Sequence, residues 1–165
     1  MRATVALPIL AASTALLVAC GADYGFLGRA CTEMGALHGF SLTIAKEMTP
    51  DITDPVLEVC DSTCRTLPIE LTEGSDTVEQ GCTGDNPEDS CSAISVPNGT
   101  LVASINDPTL TTAEVTLTLT NGSTEYTLTA TPEMVYPNGQ DCPAAGPQLS
   151  LLLAQDRLSV SATVP

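Results

Sequence analysis

The sequence predicts an all-β protein: a single antiparallel β-sandwich of about eight short strands, held together by disulfides. Its composition favours strands, because Val, Leu, Ile, Thr and Ser are abundant, Trp is absent and aromatic residues make up 3% of the chain. Short segments alternate apolar and polar residues and are separated by turn residues, as in sandwiches and barrels. Six cysteines follow residue 30, an even number that suits three disulfides.

Alternation of side chains defines the predicted strands. Phe40, Leu42 and Ile44 begin the series by alternating with small or polar residues. Residues 72–90 are polar with few apolar positions and predict a long loop, and Pro97-Asn98-Gly99 predicts a turn. The segments with strand character, from which about eight strands are expected, are residues 40–45, 56–60, 65–71, 91–96, 100–105, 115–120, 123–130, 134–136, 149–153 and 157–164.

A hairpin over residues 115–130 is the clearest local signal. Apolar residues alternate with threonines on the first strand, and Asn121-Gly122 is a preferred pair for a two-residue turn. This turn would place Leu117 opposite Tyr126 and Val115 opposite Leu128. The apolar side chains of both strands then share one face, so pattern and turn agree.

The strand series indicates one domain over residues 31–165, a length that can bury a core of its own. An immunoglobulin-like or transthyretin-like sandwich fits this number of short strands. The Cys-Trp-Cys pattern of antibody domains is absent, since the chain has no Trp.

Six cysteines allow fifteen connectivities, and the sequence alone does not choose among them. Cys31 precedes the first strand and Cys142 precedes a late one; if these strands run parallel at one edge of the sandwich, both cysteines lie at the same end. Two other pairs are close in sequence, one across a tight loop at residues 61–63 and one across an acidic loop. The favoured set is Cys31–Cys142, Cys60–Cys64 and Cys82–Cys91.

Residues 1–19 are typical of an export signal. Arg2 gives a cationic start, an uncharged apolar run extends from Val5 to Val18, and the small residue Ala19 ends the segment. The apolar run is shorter than the roughly 20 residues of a membrane-spanning helix. We therefore predict a signal peptide over residues 1–19, followed by a glycine-containing tether over residues 20–30.

Leu17-Val18-Ala19-Cys20 resembles the lipobox of bacterial lipoproteins. The resemblance implies cleavage before Cys20, a thioether lipid on its sulfur and acylation, for example with palmitate. Two acyl chains suffice for stable anchoring, since each buried methylene adds about 0.8 kcal/mol. The expected location is the extracytoplasmic side of the cell membrane; the alternative is an ordinary cleaved signal beside a coincidental cysteine.

The charge of the chain is strongly acidic, with 20 acidic and 5 basic residues and a net charge of −15. This argues against nucleic acid as a partner, because phosphates require basic contacts. It also argues against docking on anionic lipid, so a lipid anchor would have to hold the chain against repulsion. Solubility is the simplest use of the charge, and a cation-binding surface is the alternative.

Cys60-x-x-x-Cys64 has the spacing found in copper chaperones of thioredoxin-like fold, whose thiolates select copper(I). His38, the only histidine, could supply a third ligand. The predicted strand over residues 65–71 stands where those chaperones have a helix, so a hairpin disulfide is the favoured interpretation. We predict no metal and no cofactor, and keep Cys60, Cys64 and His38 as the metal-handling alternative.

Catalysis by His38 would require an orienting carboxylate and a nucleophile within hydrogen-bond reach. The sequence shows neither at a recognisable spacing, and no nucleophile-elbow or zinc-protease motif is present. The sequence therefore predicts no enzymatic activity, with an unrecognised active site as the second alternative.

Beyond the lipobox, two segments carry a further resemblance: Val59-Cys60-Asp61-x-x-Cys64-Arg65, and residues 136–142 (YPNGQDC) followed by Gly146-Pro147-Gln148. In these the chain is similar to uncharacterised secreted lipoproteins of actinobacteria. The resemblance implies an envelope location and a small β-domain, and it supplies no functional site. The expected function is that of a non-catalytic envelope lipoprotein whose β-domain binds an unknown protein or envelope ligand or has a structural role.

Overall fold

The computed structural model describes residues 31–32, 35–84 and 89–161. The chain divides into two compact units, residues 1–33 and 34–165. Cys31 and Thr32 are the described residues of the first unit, and both are exposed. Every described strand belongs to the second unit.

The second unit is all-β, which confirms the predicted class; its described residues form ten strands, one short 3-10 helix and no α-helix. The helix is η1 (Thr49–Asp51). The strands are β1 (Gly39–Ile44), β2 (Val56–Cys60), β3 (Cys64–Pro68), β4 (Thr72–Cys82), β5 (Cys91–Asn106), β6 (Val115–Asn121), β7 (Thr124–Ala130), β8 (Glu133–Val135), β9 (Gly146–Ala154) and β10 (Arg157–Val160).

Two sheets are present. The larger one is curled and has the order β10-β9-β1-β5-β4, with β8 also beside β9; the smaller one has the order β3-β2-β6-β7. All described strand pairs are antiparallel except β1 with β9, which run parallel and place Phe40 opposite Leu149. The sequence predicts parallel first and late strands, but the edge position expected for them was wrong. The pair lies in the interior of the sheet, where both sides of each strand are hydrogen-bonded.

Apolar residues of both sheets form one core. The fully buried side chains alternate with outward residues along β1, β6 and β9, as the two-residue period of a strand requires. Burial of such a side chain is worth about 1.5–3 kcal/mol. The strand residues of this core are Phe40, Leu42, Ile44, Leu57, Val59, Ala103, Ile105, Val115, Leu117, Leu119, Leu149, Leu151, Leu153 and Leu158.

The β6–β7 hairpin exists, but its predicted register was wrong by two residues. The turn is Gly122-Ser123, and Leu117 lies opposite Leu128 instead of Tyr126. Asn121 stays in the strand because its side chain binds the η1 region, accepting from the Thr53 amide at 2.8 Å and donating to the Asp51 carbonyl at 2.8 Å. A two-residue shift keeps every side chain on its face, so the core pattern is preserved.

The polar stretch after residue 71 was predicted as a loop, and this was wrong: residues 72–82 are the eleven-residue strand β4. The predicted turn at Pro97-Asn98-Gly99 was also wrong, because β5 continues through it for sixteen residues. Ser75 lies opposite Pro97 and Glu73 opposite Leu101, so three residues of β5 face Gly74 alone. The turn residues form a bulge, with Gly99 at a φ of 81°, and do not reverse the chain.

Candidate functional site

The β2–β3 hairpin presents the Cys60-Asp61-x-x-Cys64-Arg65 motif. Cys60 and Cys64 are directly opposed across the strands and are joined by a disulfide, as their spacing predicts. Asp61 closes the loop by accepting from the Thr63 amide at 3.1 Å, and it pairs with Arg65 Nη1 at 3.1 Å. The motif is therefore a stapled tight turn.

Arg65 connects this hairpin to the end of β5. Its Nη2 and Nε lie 2.6 and 2.9 Å from one oxygen of Asp107, whose side chain is 2% exposed. The other oxygen of Asp107 accepts from the amide and the hydroxyl of Thr109, at 3.1 and 2.7 Å. Every oxygen of this buried carboxylate is thus hydrogen-bonded, which makes the ion-pair cluster of Asp61, Arg65 and Asp107 a link between the two sheets.

The charges of the ion-pair cluster are stabilised in place. The Thr63 amide and then Arg65 lower the pKa of Asp61 to about 2. Burial alone would raise the pKa of Asp107, but the hydrogen bonds from Arg65 and Thr109 outweigh it and the pKa is lowered. The hydrogen bond to Asp107 is the main reason that the pKa of Arg65 is raised. All three groups therefore stay ionised at neutral pH.

The proposed metal ligands do not form one site in this state. Glu58, Cys60 and Cys64 lie within 4.8 Å of one another, but the two sulfurs are bonded to each other and offer no thiolate. His38 points its Nε2 at the Leu110 carbonyl, 3.0 Å away. Its ring also packs against Gly146, where a Cβ would clash with it.

A cleft of about 560 Å³ lies beside β7, β8 and β9. Its polar groups are hydroxyls such as Thr129 and Ser150, the Gln148 amide and the Glu133 carboxylate, with Val160 at its rim. No His, Lys or Cys of the described chain lines this cleft. Its hydroxyls, amide and carboxylate suit hydrogen bonding to a small polar group.

The outer parts of β4 and β5 form a two-stranded hairpin that we call the arm, residues 75–82 and 91–97. Every residue of the arm is exposed. At about 3.4 Å per residue it extends roughly 24 Å from Ser75 to its end. Cys82 and Cys91 are directly opposed there and form a disulfide, the second of the local pairs that the spacing predicts.

The two faces of the arm differ. Val78 lies directly opposite Ile94, and Val96 lies opposite Asp76 on the same face. Val78, Ile94 and Val96, which we call the stripe, are 42%, 50% and 39% exposed. The other face is polar, with Ser75 and Ser95 hydrogen-bonded across the strands at 2.7 Å. The stripe lies outside the apolar core of this domain.

The base of the arm is fixed by side chains of the β5 bulge. Asn98 donates to the Asp76 carboxylate at 2.8 Å and accepts from the amide and hydroxyl of Thr100. Thr49 of η1 donates to the Gly99 carbonyl at 3.1 Å. A Cβ at Gly74 would clash with the Thr100 hydroxyl, so this position requires glycine. These contacts fix the direction in which the arm leaves the sheet.

Several sequence predictions fall elsewhere. The signal peptide, Cys20 and the tether lie outside the described residues. Cys31 and Cys142 are both disulfide-bonded, and the pairing of these two cysteines with each other stays a prediction. Over the part of the chain that the structure describes, no helix is long and apolar enough to cross a membrane.

Comparison with known proteins gave no match: no family model, no curated protein and no solved structure is similar to this chain.

Sequence reasoning missed the arm and Asp107. A signal for the arm was present, because a local Cys82–Cys91 pair places Val78 and Ile94 at nearly equal distances before and after the disulfide. These similar distances indicate that the two strands continue to pair on the side of the disulfide away from the loop. Asp107 could have been found as an acidic residue that directly follows an apolar strand and precedes Pro108 and Thr109.

Proposed function

We propose that this chain is a lipid-anchored extracytoplasmic binding protein and that the arm carries its binding surface. The observation that carries this proposal is the stripe, three half-exposed apolar residues on one face of a disulfide-closed hairpin outside the core. Exposed apolar groups at a preformed site favour association, because their burial is worth about 25 cal/mol per Å².

The lipid on Cys20, the extracytoplasmic location and the tether over residues 20–30 belong to the same proposal, and the leader sequence supports them. The two sheets with their shared core support a sandwich of the immunoglobulin-like or transthyretin-like kind. Held by a tether, such a domain would present its arm at a distance from the membrane. The acidic charge opposes adhesion to anionic lipid and leaves the arm free for a protein partner.

A non-catalytic role is part of this proposal. The three groups whose pKa values are shifted are Asp61, Arg65 and Asp107, and all three bond to one another or to Thr63 and Thr109. Their shifts have a structural cause and are not those of a free acid or base facing a cleft.

A thiol-redox or copper role of Cys60 and Cys64 is the second candidate, favoured by the exposure of Cys64 and the nearby Glu58 carboxylate. It requires that the disulfide be reduced in the cell. Mass spectrometry of the native membrane-derived protein, alkylated without reduction, decides this. Bridged cysteines and a lipidated Cys20 support the anchored binding protein, whereas alkylated Cys60 and Cys64 favour the redox or copper role.

Position-specific photocrosslinking in living cells tests the binding surface. A photoreactive residue at Ile94 should give one discrete cross-linked product, which disappears when Val78 and Val96 are changed to Thr. The same photoreactive residue at Glu125, an exposed position on β7, is the control and should give none. Equal products from both positions, or none from position 94, would show that the arm is not a binding surface.

A further inference from the structure

We infer that the partner of the arm is an extended, cationic segment of another polypeptide, which adds as a new strand along the free edge of β4. This inference rests on the proposed function and specifies the chemistry of the partner. Three features of the described residues support it: the free edge, the difference between the faces of the arm, and the distribution of charge.

The free edge is β4 itself. This strand is the last in its sheet and pairs on one side with β5, so within the described part of the chain its other side has no strand partner over residues 72–82. Proteins usually protect such an edge by short length, Lys or Pro. The edges of β3 and β10 follow that rule, since β3 has five residues with Arg65 and Pro68, and β10 has four and begins with Arg157. Two further edge strands have neither Pro nor Lys: β7 has seven residues and contacts β10, whereas β4 is the longest of the described edge strands, with eleven residues.

The regular part of the β4 edge is five residues long, which is an ordinary length for a β-strand. Register shifts interrupt the β4–β5 ladder between Glu73 and Ser75 and again between Glu79 and Gly81. Between them, residues 75–79 form an uninterrupted ladder of five residues. An added strand would gain main-chain hydrogen bonds along this stretch, and its alternate side chains would lie beside Val78 on the stripe face.

The charged residues of β4 are all acidic. Glu73, Asp76 and Glu79 lie along this strand, with Asp76 on the stripe face and Glu79 on the opposite face. No Lys or Arg occurs between Arg65 and Arg157, and Lys46 lies against Gly99 at the base of the arm. These acids repel a second copy of the same arm, because like charges on neighbouring strands are destabilising. They attract lysine and arginine side chains of an added strand, and they select against acidic segments.

The two properties together define the partner segment. It should alternate apolar residues, which lie beside Val78 on the stripe face, with basic residues on the opposite face, which is the face of Glu79. Acidic residues alone would serve to keep an edge from aggregating. That role does not require an apolar face, and the opposite face of the arm shows that polar residues fit the same ladder, as at Thr77 and Ser95.

A synthetic peptide tests this directly. The probe is a labelled peptide of about ten residues that alternates lysine and valine, titrated against the full chain in nonionic detergent. We expect saturable binding that weakens at least about fivefold when salt rises from about 50 to about 500 mM. Amide hydrogen exchange should slow in residues 75–79 on binding. A glutamate-valine peptide of the same length should not bind.

A second probe separates strand addition from simple charge attraction. It has the same sequence, but two consecutive central residues carry N-methyl groups, so both edges of the peptide lose a donor. We expect its affinity to fall at least about tenfold. Equal binding of the methylated and unmethylated peptides would overturn strand addition.

Charge reversal on β4 has a matched control. Glu73→Lys with Glu79→Lys on β4, which leaves the Asn98–Asp76 hydrogen bond in place, should lower the affinity of the lysine-valine peptide by at least about tenfold and allow the glutamate-valine peptide to bind. Glu114→Lys with Glu125→Lys changes the net charge equally at exposed positions outside the arm and should have little effect. An equal loss in both variants would show that net charge, and not the β4 edge, attracts the peptide.

The outcomes also separate this inference from the proposed function. If position 94 still cross-links to one partner but the peptide does not bind, the arm is a binding surface and the cationic strand is wrong. A cross-link between two copies of this chain would overturn the cationic partner in the same way. If position 94 gives no product and the peptide does not bind, both proposals fail.

Discussion

Two hairpins of this chain are each closed by a disulfide, but one packs against the core and the other is exposed. In each, a disulfide joins directly opposed cysteines next to the chain reversal, Cys60 to Cys64 and Cys82 to Cys91. The β2–β3 hairpin packs Leu57 and Val59 into the core and sends Arg65 to a buried carboxylate. The arm buries none of its residues.

This difference is the basis for the proposal that the arm, and not the β2–β3 hairpin, is the binding surface. In the Cys60-Asp61-x-x-Cys64-Arg65 motif, contacts within the fold account for the cysteines, the aspartate and the arginine. The arm has an apolar stripe that the core does not include. A two-stranded hairpin alone is marginally stable, so the disulfide and the bonded base of the arm maintain a shape that the core does not require.

Truncating apolar side chains should show the largest contrast between the two regions. Leu151→Ala, at a core position that is 1% exposed, should cost about 3 kcal/mol or more of unfolding free energy because it leaves a cavity. Ile94→Ala on the stripe should change it by less than about 0.5 kcal/mol. Urea unfolding measures both, and a comparable loss in the two variants would place the stripe in the core.

Removing the buried charge of the ion-pair cluster should have the next largest effect. Asp107→Asn should cost about 3 kcal/mol, because it removes the charge of the buried carboxylate that is the main partner of Arg65. The matched control is Asp61→Asn, since the side chain of Asp61 is 21% exposed, against 2% for Asp107, and binds the same arginine. Equal losses from the two changes in urea unfolding would refute a special role for the buried carboxylate.

The two disulfides should contribute differently to global stability. Replacing Cys60 and Cys64 by Ser should cost about 2 kcal/mol in the chain-entropy model. Replacing Cys82 and Cys91 should cost less than about 1 kcal/mol, because the freed arm gains entropy in the native state as well. Hydrogen exchange should then quicken in the arm alone. Faster exchange throughout the sheets would show that the arm supports the core.

Low pH should destabilise the protein through the ion-pair cluster of the β2–β3 hairpin and not through the arm. Because the pKa values of Asp61 and Asp107 are lowered in the folded state, the unfolded chain binds more protons at low pH. The stabilisation from Asp61 is complete above the ordinary carboxyl pKa near 4 and is lost as the pH falls towards about 2, and the stabilisation from Asp107 is lost as the pH falls through its lowered pKa. Thermal melting should show this decline, and Asp107→Asn should reduce it. An unchanged slope in that variant would contradict the assignment.

The sequence determined the buried strands better than the exposed ones. The alternation in β1, β2 and β6 reports burial on one face, so their positions were predictable. The arm carries no such pattern, because both of its faces meet water and polar residues satisfy the ladder equally well. Its strands depend on cross-strand pairing and on the Cys82–Cys91 disulfide, which single-sequence periodicity does not report.

The remaining differences also have physical causes. The β6–β7 register shifted because Asn121 binds the η1 region, a contact between residues about 70 positions apart. Pro97-Asn98-Gly99 reads as a turn locally and becomes a bulge because β4 supplies a partner on both sides of it. The cysteine spacing was sufficient to predict two disulfides. Asp107 was unpredictable as the partner of Arg65, since 42 residues separate them.

Deleting the arm tests most directly whether folding and binding are separate in this chain. In the variant, residues 76–96 are replaced by Asn-Gly together with Pro97→Thr, so that a two-residue turn joins Ser75 to a residue with a backbone N–H. We expect cooperative urea unfolding with a free energy within about 1 kcal/mol of the parent, together with loss of the lysine-valine peptide. A variant that fails to fold, or that folds and still binds the peptide, would contradict the account.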